Sequence, residues 1–263
     1  MISFLPIGAI VIRHIRVLLR DPNVLLYLYW PMLDIFTWGY LGAWIQQSQA
    51  AGLHNFEVAA LLGILLWQVV GRGANTIIFS FSEELWSNNV VNLFSLPLRI
   101  IEWIGGVILF YAIMIMITAI TCMGIIFMFY DVSLWYIFST FLIFLPPLFI
   151  SGIWLGFAAL QIVVTFGKRG VELGHVISWF LSPFSGAYYP IDVLPIWGQK
   201  ISALLPMSYV LQGMREYVMN QKNPTSYLLK GYALSILYAL CSLMLFVYCF
   251  NRSKQKGLAR LAD

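Results

Sequence analysis

Hydrophobic residues fill this chain in long runs, and the polar residues between them mark where the runs end. The first segment is amphipathic. On a helix advancing about 100° per residue, Ile7, Val11, Ile15 and Leu18 share one face. Arg13, Arg16 and Arg20 fall within an arc of about 60° on the other side. Residues 1–23 therefore predict a helix along a membrane surface, apolar side in lipid and arginines among anionic head groups. Asp21-Pro22-Asn23 stops it. The apolar stretch precedes the positive charges, the reverse of a secretory signal.

A helical crossing needs about 20 largely apolar residues. Six segments qualify: 24–45, 57–79, 100–130, 134–166, 171–187 and 227–250. The fourth is long enough to tilt, and Pro146-Pro147 predicts a kink in it. The fifth is short, with Pro183 and Pro190 interrupting its end. Residues 188–222 alternate charged and apolar positions and predict two short amphipathic helices broken at Pro206.

The basic residues orient the chain. They gather in the N-terminal segment, at Lys168-Arg169, and in the tail at Arg252, Lys254, Lys256 and Arg260. The 46–55 loop and the Asp131 turn carry none. Basic loops face the cytoplasm, so both termini are expected there, which requires an even number of crossings. Lys200, Arg215 and Lys222 then lie in an external segment, against the trend.

Composition reinforces the membrane reading. Hydrophobic residues make up 61% of the 263 and charged residues 10%, where a soluble domain carries about 25% charged residues. Mean hydropathy is +0.84. The net charge of +4 follows the loops rather than forming a nucleic-acid-binding face, so no nucleic-acid partner is expected. Cys122, Cys241 and Cys249 lie inside hydrophobic runs without metal spacing.

Catalytic and cofactor signatures are missing from the sequence. There is no GxxxxGK[ST] phosphate loop, no HExxH and no GxSxG. His14, His54 and His175 are scattered. No cofactor or metal is expected on this chain, and any nucleotide it depends on must be bound elsewhere. Of the charges within the crossings, Asp34, Arg72 and Glu102 stand out. From the helical rise, Asp34 lies about 15 Å and Arg72 about 10 Å from the cytoplasmic ends of their helices. An Asp34–Arg72 pair is geometrically possible, and Glu102–Arg72 is the alternative. Either a structural ion pair or a substrate or gating role fits charges at this depth.

The cytoplasmic loop 80–99 has helical spacing. Glu83, Glu84, Leu85 and Trp86 are followed by an apolar stripe of Val90, Val91, Leu93, Phe94 and Leu96, and Pro97 marks the end. Pattern alone admits a surface-lying connector or a docking helix for a soluble partner.

Residues 82–106 resemble the ABC-2 type permeases. There an acidic–hydrophobic helix ending in a Ser/Thr-x-Pro-Leu-Arg-like sequence lies between the second and third spans; here it is Ser95-Leu96-Pro97-Leu98-Arg99, then Glu102 and Gly105-Gly106. Asn88-Asn89 stands where many relatives have a Gly-Thr-like pair. A second match begins at Ser185 with Gly186, Tyr189, Pro190, Leu194 and Pro195, and continues through Pro206-Met207-Ser208-Tyr209 to Arg215. Tyr29-Trp30-Pro31 with Asp34 fits as well. The resemblance covers nearly the whole chain.

It implies one transmembrane domain over 1–263, an all-α membrane protein of six spans. An N-terminal interfacial helix bearing Arg13, Arg16 and Arg20 would gate lateral access. Residues 80–99 would be a cytoplasmic coupling loop, and 188–222 external re-entrant helices capping the exit. Such permeases pair with a second copy and with ABC ATPase subunits, which hold the ATP and Mg, in a bacterial-type inner membrane. Lipid-linked, glycan and hydrophobic cargoes all remain open. The aromatic residues, 16% of the chain, fit interfacial belts or an aromatic-lined path. Outside the resemblance, a secondary transporter or a membrane-embedded enzyme stay as alternatives.

Overall fold

The computed structural model describes residues 4–20, 26–48 and 55–258. Among them every regular element is helical: α1 (Phe4–Arg20), α2 (Leu26–Ser48), α3 (Phe56–Trp86), α4 (Val90–Ser95), α5 (Ile100–Phe129), α6 (Leu134–Phe166), α7 (Arg169–Phe180), α8 (Ile196–Leu204), α9 (Pro206–Asn220) and α10 (Thr225–Gln255). The Asp21-Pro22-Asn23 stop, most of the 46–55 loop and Arg260 lie outside the described residues.

Four helices, α3, α5, α6 and α10, are long and apolar enough to cross a membrane. This is the architecture of a multi-pass helical membrane protein. The remaining two predicted crossings look different. α2 has 23 residues but carries Asp34, Gln46 and Gln47 and is not among the four. α7 has only 12 residues, a rise of about 18 Å, and then breaks into a 3-10 turn at Ser182–Phe184.

α3 is the axis of the fold. It is apolar around nearly its whole circumference from Ala59 to Val70, so it is buried on all sides. α10, at the periphery, keeps most of its apolar surface outward, as a helix solvated by lipid does. Small residues let the backbones close up. The Tyr111 side chain lies between Gly73 of α3 and Gly152 of α6, where a Cβ at either position would collide with its ring or hydroxyl. Its hydroxyl donates to the Val69 carbonyl at 2.8 Å, and its ring stacks on Phe149 at 4.4 Å. One side chain thus ties α3, α5 and α6. Between α6 and α10, Ser151 and Ser235 hydroxyls meet at 2.9 Å and Gln161 donates to the Ser242 carbonyl. α6 passes through Pro146-Pro147 without a break in the helix.

The predicted pair of short helices in 188–222 is present as α8 and α9, with Pro206 opening α9, where a missing N–H is harmless. Met207, Val210, Leu211, Met214 and Val218 of α9 pack into the core.

Candidate functional site

Three places hold the charges and polar groups singled out in the sequence. The first is the end of α3. The predicted coupling helix is not one helix: Glu83, Glu84, Leu85 and Trp86 form the last turn of α3, and a turn at residues 87–89 precedes α4. Asn88 takes a left-handed conformation there, φ 53°, which asparagine tolerates. The apolar stripe also faces inward. Val90, Leu93, Phe94 and Leu85 are buried, and Phe94 packs on Phe250 at 4.6 Å and near Trp103. What faces out is Trp86, half exposed, with Val91, Leu96 and Pro97.

This elbow is cross-linked to its surroundings. Glu84, only 1% exposed, accepts from Arg13 Nη2 at 2.7 Å and from Asn89 Nδ2 at 2.7 Å. Lys168 Nζ donates to Asn88 Oδ1 at 3.0 Å. Arg13 brings α1 to the elbow, and Lys168 brings the start of α7.

α1 does not keep its apolar side for lipid alone. Ile10, Val11, His14 and Leu18 are buried, and the helix packs on α5. A Cβ on Gly106 would lie 2.7 Å from Ile10, and His14 stacks on Phe110 at 5.2 Å. Burial, with Arg13 beside it, lowers the His14 pKa from 6.5 to about 4. Arg16 and Arg20 stay exposed, on the same side as Leu5, Ile12 and Leu19. The apolar stripe reads wider in the structure than in the sequence, because one flank meets protein and another is left outward.

The second place is a cleft of about 340 Å³ between α2, α3, α5 and α7. Asp34 and Arg72 both line it, as a pair between them would require, but their charged atoms are more than 4.0 Å apart and no close ion pair forms. Asp34 Oδ2 instead accepts from Gln68 Nε2 at 3.0 Å. Glu102 is not Arg72's partner either. It sits in the first turn of α5, where its carboxylate accepts from the Arg99 backbone N–H at 3.1 Å as part of a capping box. Across the cleft, His175 Nδ1 and Asn75 Oδ1 are 2.8 Å apart, joining α7 to α3. Ser178 is 1% exposed, and its hydroxyl has no hydrogen-bond partner among the described residues. Tyr27, Trp30, Trp67, Phe79 and Trp179 wall the cavity. A half-buried acid, a cation and hydroxyls ringed by aromatic faces are the kinds of group that a site for a polar group on an otherwise apolar ligand uses.

The third place is the segment after α7. Gly186 turns the chain with φ 76°, and Arg215 of α9 donates to the Gly186 and Ala187 carbonyls at 3.1 and 2.9 Å. Gly63 of α3 lies beneath, where a Cβ would come within 2.5 Å of the Ala187 oxygen. Pro190, Leu194, Pro195 and Pro206 occur at helix boundaries, and Tyr189 is half-buried beside them. Lys222 pairs with Glu216 at 2.9 Å. Hydrogen bonds from Lys222 and then Asn220 hold the Glu216 carboxyl below its usual range. Of the three cations that ran against the orientation rule, two are therefore occupied internally.

No protein-family model matches the chain, and no curated protein matches it in sequence. The site is therefore read from its geometry and from the chemistry of its residues.

Sequence reasoning missed Gln68, Asn75, His175 and Ser178. Gln68 lies four residues before Arg72, on the same helical face, a signal that was available. Ser178 gave none, since a serine in a helix ordinarily bonds back to its own turn.

Proposed function

We propose that this chain is the membrane-spanning subunit of an ATP-driven exporter of the ABC-2 type. It would work as a pair of copies with a separate ABC ATPase docked beneath each, and ATP and Mg would sit on that ATPase. In this reading the chain itself is not an enzyme. Six crossings are completed by α2 and by α7 with its following turn. Both termini are cytoplasmic in a bacterial-type inner membrane, and α8 and α9 are external and re-entrant.

The observation that carries the reading is the linkage at the elbow. α3 is 31 residues long, about 46 Å, and runs unbroken from the cleft at Gln68–Thr76 to Trp86. The elbow also grips α1 through Arg13–Glu84 and the head of α7 through Lys168–Asn88. A push on the exposed surface of Trp86, Val91 and Leu96 would thus reach α3 and α7, two walls of the cleft, together with the interfacial helix. Alternating access needs such a rigid element with two arrangements. Orientation is supported in the same way. Arg13, Lys168 and the α10 end beside Phe94 and Phe250 gather around the elbow, so the basic segments share one end. The irregular α7 beside the cleft fits a transport path, where broken helices are tolerated.

The test is mass spectrometry of the tagged chain extracted in mild detergent from its own cells. A stoichiometric soluble ATPase should co-purify and be lost on Trp86→Asp or Val91→Asp, both at the exposed surface. No ATPase in the extract, and none captured by cross-linking in membranes beforehand, would sink the proposal.

A further inference from the structure

The cleft holds two opposite charges that form no close ion pair with one another. Asp34 is held by Gln68, while Arg72 stands one turn further along α3, about 6 Å by the helical rise. Charges at membrane depth are ordinarily consumed in a pair, and this protein does pair the buried Glu84 fully at its elbow. Leaving a carboxylate and a guanidinium side by side but apart suits a ligand that brings one charge of each sign. The surroundings sort the two halves. Trp30, one turn before Asp34 on α2, and Trp67, beside Gln68 on α3, line the cleft, and their faces attract an ammonium group. Arg72 presents a planar donor fork suited to phosphate. Ser178 adds a buried hydroxyl with no partner of its own. The aromatic walls match the start of an apolar tail.

We propose that the cleft between α2, α3, α5 and α7 binds a zwitterionic head group carried on an amphiphile. Its ammonium lies against Asp34 and its phosphate against Arg72 and Ser178. That such a ligand is also the exported cargo rests on the exporter reading; that it binds does not, because binding needs no ATPase.

The experiment is native mass spectrometry of the full chain in detergent, titrated with four probes. These are dioleoyl phosphatidylethanolamine, dioleoyl phosphatidylglycerol, a dioleoyl trimethylammonium lipid and soluble phosphoethanolamine. Phosphatidylethanolamine should be retained at least about tenfold more tightly than either singly charged lipid, the factor for one interaction of about 1.4 kcal/mol. Asp34→Asn and Arg72→Gln should each remove that preference, and Ser178→Ala should weaken it about threefold, roughly 0.7 kcal/mol. Binding of phosphoethanolamine as tight as the lipid's would keep the zwitterion and assign it to a soluble ligand. Equal retention of all three lipids by the unmodified chain overturns the proposal, and that readout does not depend on any variant folding. An ATPase captured in the extract alongside unselective lipid binding would sink this inference and leave the exporter reading standing. Selective binding with no ATPase would do the reverse.

Discussion

The elbow at the end of α3 and the cleft halfway along it are built from the same helix and treat charge in opposite ways. At the elbow the carboxylate of Glu84 is buried and receives two hydrogen bonds, from Arg13 and Asn89. In the cleft Asp34 receives one, from Gln68, and Arg72 makes no ion pair among the described residues. A buried, satisfied charge fixes structure, and losing its partner is costly. A charge left open toward a cavity costs the fold something, and in the proposed reading it is kept for a ligand. The comparison separates residues that hold the protein together from those available to function, which charge in the sequence alone could not do.

Five substitutions and one titration break or sharpen that contrast. Leu93→Asp should have the largest effect, destabilising by about 4 kcal/mol or more because it buries an unpaired charge among Phe94 and its neighbours. Loss of monodisperse protein on size exclusion would register it, whereas release of a partner from an intact fold would mean the stripe faces outward. Next comes pH. His14 sits near 4 when docked and near 6.5 when free, a difference of about 3 kcal/mol. Its pKa is depressed in the fold, so the undocked state takes the proton first. Stability is full above 6.5 and is lost as pH falls from 6.5 toward 4. The thermal midpoint should drop over that window, and His14→Phe should remove that part of the drop.

Arg13→Ala should cost about 2 kcal/mol, since it strips the buried Glu84 of its charged partner. Thermal unfolding reads this, and an unchanged midpoint would make the pair ornamental. Ser178→Ala should be neutral or stabilising by up to about 1 kcal/mol, because the hydroxyl it removes has no partner to lose. A clear loss of stability there would reveal a hidden structural bond. Trp86→Asp should be smallest for the isolated chain, within about 0.5 kcal/mol, so any loss of ATPase it causes reports docking and not folding.

Much of the architecture was legible beforehand. The 100–130 and 134–166 runs became α5 and α6 almost residue for residue, because twenty or more apolar residues in a row have one low-cost arrangement in lipid. Pro206 separated α8 from α9 as expected. The loop 80–99 was harder to read. Helical periodicity identified an apolar stripe, but a stripe looks the same whether it meets a partner or the protein's own Trp103 and Phe250. The ion pairing also escaped, since sequence depth brings Asp34 and Arg72 to similar heights and says nothing about rotation around their helices.

Sequence alone therefore determined the helical membrane class, the positions of the long apolar helices, and the segregation of basic residues, because these follow from hydropathy and length. Tertiary structure alone decided that Glu84 belongs to Arg13, that Glu102 caps its own helix, and that Leu93 faces inward. It also decided that Asp34, Arg72 and Ser178 share a cleft. Those outcomes depend on how helices turn and lean against one another, and that is set by packing between distant segments such as Tyr111 against Gly73 and Gly152.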